Sequence, residues 1–451
     1  MKNADTNEAM LTGSISRSIL TFFFPILIGT FFQQLYNTVD AAIVGQYAGK
    51  AALSSVGGSS GIIINLVVGF FTGLSSGCTV LISQYFGARE QKKLEDSVHT
   101  AYAFAILGGV VFGIIGMICT PMLLKLMNTP EDVLKQSTQY LTIYFAGLVF
   151  VFIYNMGASI LRALGDSARP LLYLIICTVV NIILDITLVK YCKLDVIGVA
   201  VATLIAQAIS AALVTECIMH RTIAVKLSLK KIRLNKDYFI RMIKIGLPTG
   251  IQSSTYSISN MVIQSAVNTF GVNTVAGWTA EGKVDVLFWM INSSFGTAAA
   301  TFVGQNYGAG NMKRVKKGTR SCLLMSFTTA VVISTLLFFF GRYPLYLFTN
   351  EVEVIDAGVH VMKMIVPTYP VFVFIEIFSA SLRARGDTLF TTIFNLCGIV
   401  LFRVIWISLF GYKGNIDWVI VSYPISWIIT AAMISIYYYV RTYKKNPVGI
   451  R

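Results

Sequence analysis

The chain is poor in charge. Only 13% of its 451 residues are Asp, Glu, Lys or Arg, roughly half the share of a soluble globular domain. Histidine is scarcer still: His99, His220 and His360 lie far apart in sequence, near the ends of apolar runs. Such spacing offers no paired imidazole ligands for a metal and no partner for a nucleophile. The seven cysteines (Cys78, Cys119, Cys177, Cys192, Cys217, Cys322, Cys397) show no metal-ligand or redox spacing, and read as small apolar fillers. Neither a metal motif nor a nucleophile motif is present, which counts against a membrane-embedded enzyme. The start of the chain carries no signal-peptide pattern, because its first apolar run is too long for an h-region. Long polar stretches are missing as well, so no soluble domain is expected.

What fills the chain is apolar. Hydrophobic residues make up 55% and the mean hydropathy is +0.70. They fall into twelve runs of about 20 residues or more, the length that crosses the hydrocarbon as helix. The first run is Ser18–Gln46, the fourth Tyr140–Leu161, the seventh Met242–Phe270 and the last Trp418–Tyr439. Two polar motifs occur twice. LRALGD from Leu161 returns as LRARGD from Leu382, and QYFGARE from Gln84 returns as QNYGAGN from Gln305. Both pairs are 221 positions apart. The fold class expected is therefore all-α integral membrane, with twelve transmembrane helices in two six-helix lobes. Six spans per lobe make the repeat parallel, related by a pseudo-twofold axis near the membrane normal, as in transporters that rock one half against the other. The divisions are residues 1–219, a cytoplasmic linker at 220–241 and residues 242–451.

The net charge of +15 is a topology signal. With a cytoplasmic N-terminus, 26 of the 36 Lys and Arg residues fall on the inner side and 7 on the outer side; Lys283, Lys363 and Arg403 lie inside spans. That excess puts both termini and the linker in the cytoplasm and the chain in the cell membrane. It needs no nucleic-acid partner. The linker alternates basic and apolar residues in KLSLKKIRLNKDYFIR from Lys226, a pattern suited to the membrane surface.

Ionisable side chains at membrane depth cost a few kcal/mol each, so each needs a reason. Asp40 lies late in span 1, with Tyr36 four residues earlier on the same helix face. Asp185 lies in span 5, with Asn181 four residues earlier, and Thr203 lies in span 6. Together these groups are candidates to hold a proton or Na+, since oxygen ligands suit a hard cation. The second half does not copy them. Its charges are Glu281, Lys283 and Asp285 in span 8, Glu376 in span 10 and Arg403 in span 11, and Glu376 matches Asn155 of the first half. Glu281, Asp285, Glu376, Asn155, Tyr256 and Trp278 are candidates for a cleft that attracts cationic substrates; the acids are equally suited to neutralising Lys283 and Arg403. Pro25 and Pro248, one in the first span of each half, remove a helix hydrogen bond and are candidate hinges. Glycines in the second span, Gly69, Gly73 and Gly77 among them, suggest close helix packing.

At these positions the chain resembles the multidrug and toxic compound extrusion (MATE) transporters, most nearly their DinF-like branch. The resemblance runs from LTGSISRSIL at Leu11 through YNTVDAAIVGQ around Asp40, LRALGD with NIILD downstream, GQNYGAGN from Gly304 and LRARGD. It implies two six-helix lobes around a V-shaped cleft, and export of amphipathic, often cationic compounds in exchange for H+ or Na+ by alternating access. It implies no cofactor beyond the coupling ion, and a monomer. Asp40 and Asp185 match the branch's coupling acids, with Tyr36, Asn181 and Thr203 beside them. Another branch uses an acid on span 7. Here Tyr256, Ser257 and Ser259 occupy that region, which favours coupling in the first lobe. The main rival is a lipid-linked oligosaccharide flippase of the same superfamily, whose cavity is lined by bases rather than acids.

Overall fold

The structure is a computed structural model that describes residues 8–127, 129–222 and 224–444. Lys2, Lys445 and Arg451, counted above among the inner basic residues, lie outside them. Among the described residues the chain is helical and contains no strand. The helices of the first half are α1 (Ile15–Ile43), α2 (Gly49–Gly57), α3 (Ser59–Gly87), α4 (Gln91–Leu126), α5 (Glu131–Ala146), α6 (Leu148–Ala163), α7 (Ala168–Asp185) and α8 (Asp195–Glu216). Those of the second half are α9 (Lys236–Val267), α10 (Val272–Gly308), α11 (Met312–Phe340), α12 (Val352–Ile365), α13 (Tyr369–Ala384), α14 (Thr388–Asn395), α15 (Phe402–Trp406) and α16 (Asp417–Tyr439).

Among the described residues ten continuous helical stretches are long and apolar enough to cross a membrane. Two more segments complete the twelve. The fourth run is not one straight helix: α5 and α6 are bent by 49° at Gly147. A β-carbon at Gly147 would stand 3.0 Å from Leu204 Cγ of α8, so glycine lets the neighbouring helix close in at the bend. The second half breaks at the matching place, where a 3-10 turn at Val366–Thr368, flanked by Pro367 and Pro370, separates α12 from α13. The seventh run, α9, spans about 48 Å at 1.5 Å per residue. Its apolar character is diluted by Gln252, Ser253, Ser254, Thr255, Ser257, Ser259 and Asn260. Large apolar side chains such as Ile118, Met122, Phe339 and Ile436 remain exposed, as lipid-facing positions do.

The chain forms two compact units. One comprises Met1–Ala9 and Phe24–Gly250, the other Met10–Phe23 and Ile251–Arg451. Two of the three boundaries fall inside α1 and α9, next to Pro25 and Pro248. In the first unit α3 and α9 cross at backbone contact. A β-carbon at Gly73 would lie 2.5 Å from Gly250 Cα, one at Gly77 2.2 Å from the Met242 carbonyl oxygen, and one at Gly246 2.3 Å from the Leu74 carbonyl oxygen. Two G-xxx-G ridges thus face each other, with nothing larger than hydrogen tolerated between them. The linker docks on the same unit. Val225 and Leu227 are buried, the Ser228 N–H donates to His99 Nε2 at 3.0 Å, and Arg233 pairs with Asp96 at 3.3 Å. Only part of its apolar face, Leu229 and Leu234, stays exposed.

In the second unit the residues before α1 are clasped by Arg314. Its guanidinium donates to the Met10 carbonyl at 3.0 Å, the Gly13 carbonyl at 2.9 Å and Asn306 Oδ1 at 3.0 Å.

The repeated motifs are helix ends. In LRALGD the Gly165 N–H donates to the Arg162 carbonyl at 2.9 Å and the Asp166 N–H to the Leu161 carbonyl at 2.9 Å. In LRARGD the Gly386 N–H donates to Arg383 at 2.8 Å and Asp387 to Leu382 at 3.0 Å. Gly165 and Gly386 adopt φ of +92° and +90°, the left-handed turn that ends a helix. The side chains then diverge. Asp166 caps α7 by accepting from the N–H groups of Ala168 and Arg169, each at 3.1 Å, whereas Asp387 accepts from Tyr437 at 2.9 Å and Arg441 at 2.7 Å.

Candidate functional site

The first unit gathers its polar residues in one place. Tyr36 and Asp40 come from α1, Asn181 and Asp185 from α7, and Thr203 from α8. Asp40 is 8% exposed, Thr203 5%, and Asn181 and Asp185 are fully buried. Tyr36 Oη and Thr203 Oγ1 are 3.3 Å apart. The Asp40 and Asp185 carboxyls lie close enough to interact directly. Yet Asp40 Oδ1, both Asp185 carboxylate oxygens and both Asn181 amide atoms are buried without a hydrogen-bond partner. A buried polar atom left in this state is costly. Two like charges at close range in a low dielectric are more so. The arrangement is chemically suited to a proton shared between the acids, or to a monovalent cation held by carboxylate, amide and hydroxyl oxygens.

The backbone beside this cluster is distorted. Asp185 is the last α-helical residue before a π-helical turn at Ile186–Tyr191, and α1 gives way to another at Val44–Ala48 four residues past Asp40. Such wide turns recur at functional sites. Tyr140 of α5, 5% exposed, lies within electrostatic range of both carboxyls. Sequence reading passed over it, because an aromatic residue in an apolar span looks like core.

The second unit holds a cavity of ≈ 480 Å³. Glu281, Asp285, Tyr256 and Trp278 line it, joined by Arg403 and by the rings of Trp289, Phe372, Tyr423 and Trp427. Glu281 and Asp285 sit one turn apart on α10 and interact directly. Glu281 is 3% exposed, with Oε1 buried and unpartnered. Lys283, between them in sequence, is exposed and does not line the cavity. Tyr256 donates to Asn395 Oδ1 at 3.0 Å, and Trp278 meets Tyr423 edge-on at 5.9 Å between ring centres. Trp427 lies 5.9 Å from Trp289, 5.3 Å from Phe372 and 5.7 Å from Tyr423. The wall is thus a connected aromatic cluster with a polar floor, the composition that binds flat organic molecules.

Glu376 and Asn155 lie outside this cavity. Glu376 pairs with Arg383 at 3.7 Å and runs against α10, where a β-carbon at Gly296 would meet its carboxylate at 2.2 Å. Asn155 donates to the Val151 carbonyl of its own helix at 2.8 Å. The two candidate hinges are both half-buried: Pro248 lies between Gly246 and Gly250 of the α3–α9 crossing, and at Gly29, one turn past Pro25, a β-carbon would meet only Leu171 and Leu174 side chains at 3.7 and 3.8 Å. Among the described residues no group of three or more His, Cys, Asp or Glu converges to hold a metal ion.

Known proteins share this plan along the whole chain. The MatE family model matches twice, at residues 25–187 and 248–409, once in each half. The probable multidrug resistance protein YoeA of Bacillus subtilis is 29% identical over 434 residues, 94% of each chain. The multidrug export protein MepA of Staphylococcus saprophyticus is 21% identical, again over 94% of each. A solved MATE structure in the bent conformation superposes with a TM-score of 0.90 at 20% identity, covering 97% of both chains. With the family pattern present in both halves, the chain belongs to the MatE family of multi-pass membrane transporters, the multidrug and toxic compound extrusion proteins.

Proposed function

We propose that this transporter is an antiporter, exporting amphipathic organic cations in exchange for inward H+ or Na+ by alternating access, with both termini cytoplasmic. The observation that carries the reading is the buried cluster of Asp40, Asn181 and Asp185, in which Asp40 Oδ1, both Asp185 oxygens and both Asn181 amide atoms lack hydrogen-bond partners. A cation entering there relieves carboxylate repulsion and supplies the missing interactions. Its binding free energy then differs between any two states that open or crush the cluster, which is the requirement for coupling. Tyr36, Tyr140 and Thr203 border the cluster and would offer their hydroxyls to an ion bound there.

Cargo binds in the second unit's cavity, where Glu281 and Asp285 supply negative charge and the aromatic wall supplies apolar surface. A lining with one base and two acids supports a cationic cargo over the pyrophosphate of a lipid-linked oligosaccharide.

The test is transport in proteoliposomes with pH and Na+ gradients imposed independently. One of the two gradients should drive cation uptake by the wild type. Asp40→Asn and Asp185→Asn should each lose that response while still equilibrating cargo down its own gradient. Undiminished gradient-driven uptake in both variants overturns the assignment.

A further inference from the structure

The second unit's cavity carries a cation of its own. Arg403 is 5% exposed, and its Nε donates to Ser426 Oγ at 3.0 Å. Its guanidinium carbon lies 3.8 Å over the Tyr423 ring and 5.7 Å from that of Trp427. Arg403 Nη2 and Glu281 Oε1 are both buried and both without a hydrogen-bond partner, although the two side chains line the same cavity. The guanidinium is therefore held by a hydroxyl and by aromatic faces, not by the acids. Backbone geometry fixes it there. Arg403 sits in the five-residue helix α15, bounded by π-helical turns at Leu396–Leu401 and Ile407–Gly411. Ile399, four residues earlier, lines the same cavity, as expected for residues four apart on one helix face.

Two acids and one base share ≈ 480 Å³ of low-dielectric space. A cation bound beside the two acids favours their ionised form, and with both ionised the cavity is short of one positive charge. We propose that Arg403 is a resident counter-cation that sets the valence of the cargo, so that the cavity selects aromatic organic monocations. A monocation brings the local charge to neutrality, whereas a dication overshoots it and meets the guanidinium as a like charge. The aromatic wall already holds one cation, Arg403 on Tyr423, and Trp278, Trp289 and Phe372 offer the same kind of surface to a second. This inference rests on the reading of the cavity as the cargo site.

The experiment measures dissociation constants of the full-length protein in nanodiscs by tryptophan quenching. The probes are tetraphenylphosphonium, an aromatic monocation, and benzyl viologen, an aromatic dication. Wild type should prefer the monocation. In Arg403→Gln both probes gain from the lost positive charge, and the dication gains twice the electrostatic benefit. The ratio of constants should therefore move toward benzyl viologen by about tenfold or more, equivalent to ~1.4 kcal/mol. Arg403→Lys should keep the wild-type ratio. Glu281→Gln should weaken both probes and move the ratio the opposite way; if Arg403→Gln fails to fold, Arg403→Met, which keeps an apolar stem against Tyr423 without the charge, makes the same test of the valence role. Binding that depends on Glu281 but shows the wild-type ratio in Arg403→Gln and Glu281→Gln refutes the valence role alone. If Glu281→Gln leaves the binding of both probes unchanged, the placement of cargo in this cavity fails.

Discussion

Gly77→Ala tests whether the α3–α9 crossing is as tight as the backbone contacts require. The new methyl would sit 2.2 Å from the Met242 carbonyl oxygen, 2.6 Å from the Gly246 nitrogen and 2.9 Å from the Gly246 Cα. An ordinary carbon–oxygen contact is about 3.3–3.6 Å, so the first distance is about 1 Å too short. All three atoms are backbone, and no side-chain rotation relieves the clash. The helices must part, which also loosens the Gly73–Gly250 contact one turn away. Overpacking of this kind costs about 1–3 kcal/mol, against which alanine's better helix propensity returns at most about 1 kcal/mol. Gly69→Ala is the matched control: it lies on α3 eight residues earlier, and nothing lies within 4 Å of its new methyl. That variant should be unchanged or slightly stabilised. The assay is thermal unfolding of both variants in one detergent, followed by loss of the monodisperse peak on size exclusion. Gly77→Ala should melt several degrees below wild type and Gly69→Ala should not. Equal melting temperatures for the two variants would falsify the claim of backbone contact at this crossing.

Two further outcomes follow from the helix ends. Arg89 holds φ of +56° where the second half has Gly310 at +71°, so Arg89→Gly should raise thermal stability, by up to about 1 kcal/mol, whereas Gly310→Ala should lower it by about 1–2 kcal/mol. Matching signs for the two substitutions would contradict the shared turn geometry. Arg314→Ala removes the guanidinium donor to the Gly13 carbonyl and one of two side-chain donors to the Met10 carbonyl, the other being Asn306 Nδ2, so limited proteolysis should cut near these residues faster than in wild type. An unchanged cleavage rate there would mean that the clasp is dispensable.

The features legible in the sequence are those encoded locally or by repetition. The 221-residue spacing revealed the duplication because helix ends need particular residues: Gly165 and Gly386 occupy left-handed positions that most residues avoid. The pairs Tyr36–Asp40 and Asn181–Asp185 were readable because four-residue spacing puts both members on one face. The break at Val366–Thr368 is foreshadowed by Pro367 and Pro370, while its counterpart at Gly147 has a lone glycine and was hidden in an apolar run. The cavity of the second unit was only half legible. Glu281 and Asp285 stand out by charge, but Phe372, Tyr423 and Trp427 come from α13 and α16 and are ordinary span residues until packing brings them together. Arg403 was visible as a charge at membrane depth; that aromatic rings hold it, and not an acid, is a property of three-dimensional packing.

The two halves share much of their backbone and differ in charge, and the proposed function gives the two sets of charges different tasks. The π-helical turn at Ile186–Tyr191 has its counterpart at Ile407–Gly411, 221 residues on, so the wide turn belongs to the repeat. It therefore did not arise to serve Asp185, whose matching position is Trp406. What the first half adds is two acids with hydroxyl and amide neighbours and no base among them; ionised, they leave two uncompensated charges at membrane depth. Such a cluster is driven to take up a proton or a cation. The second half adds two acids on one helix, offsets one of them with Arg403, and surrounds the set with rings. Its smaller charge deficit and larger apolar wall suit a bulky cation that must leave again. In the function proposed here, ion coupling falls to the half with the greater charge imbalance, and cargo recognition to the half where most of that imbalance is already cancelled.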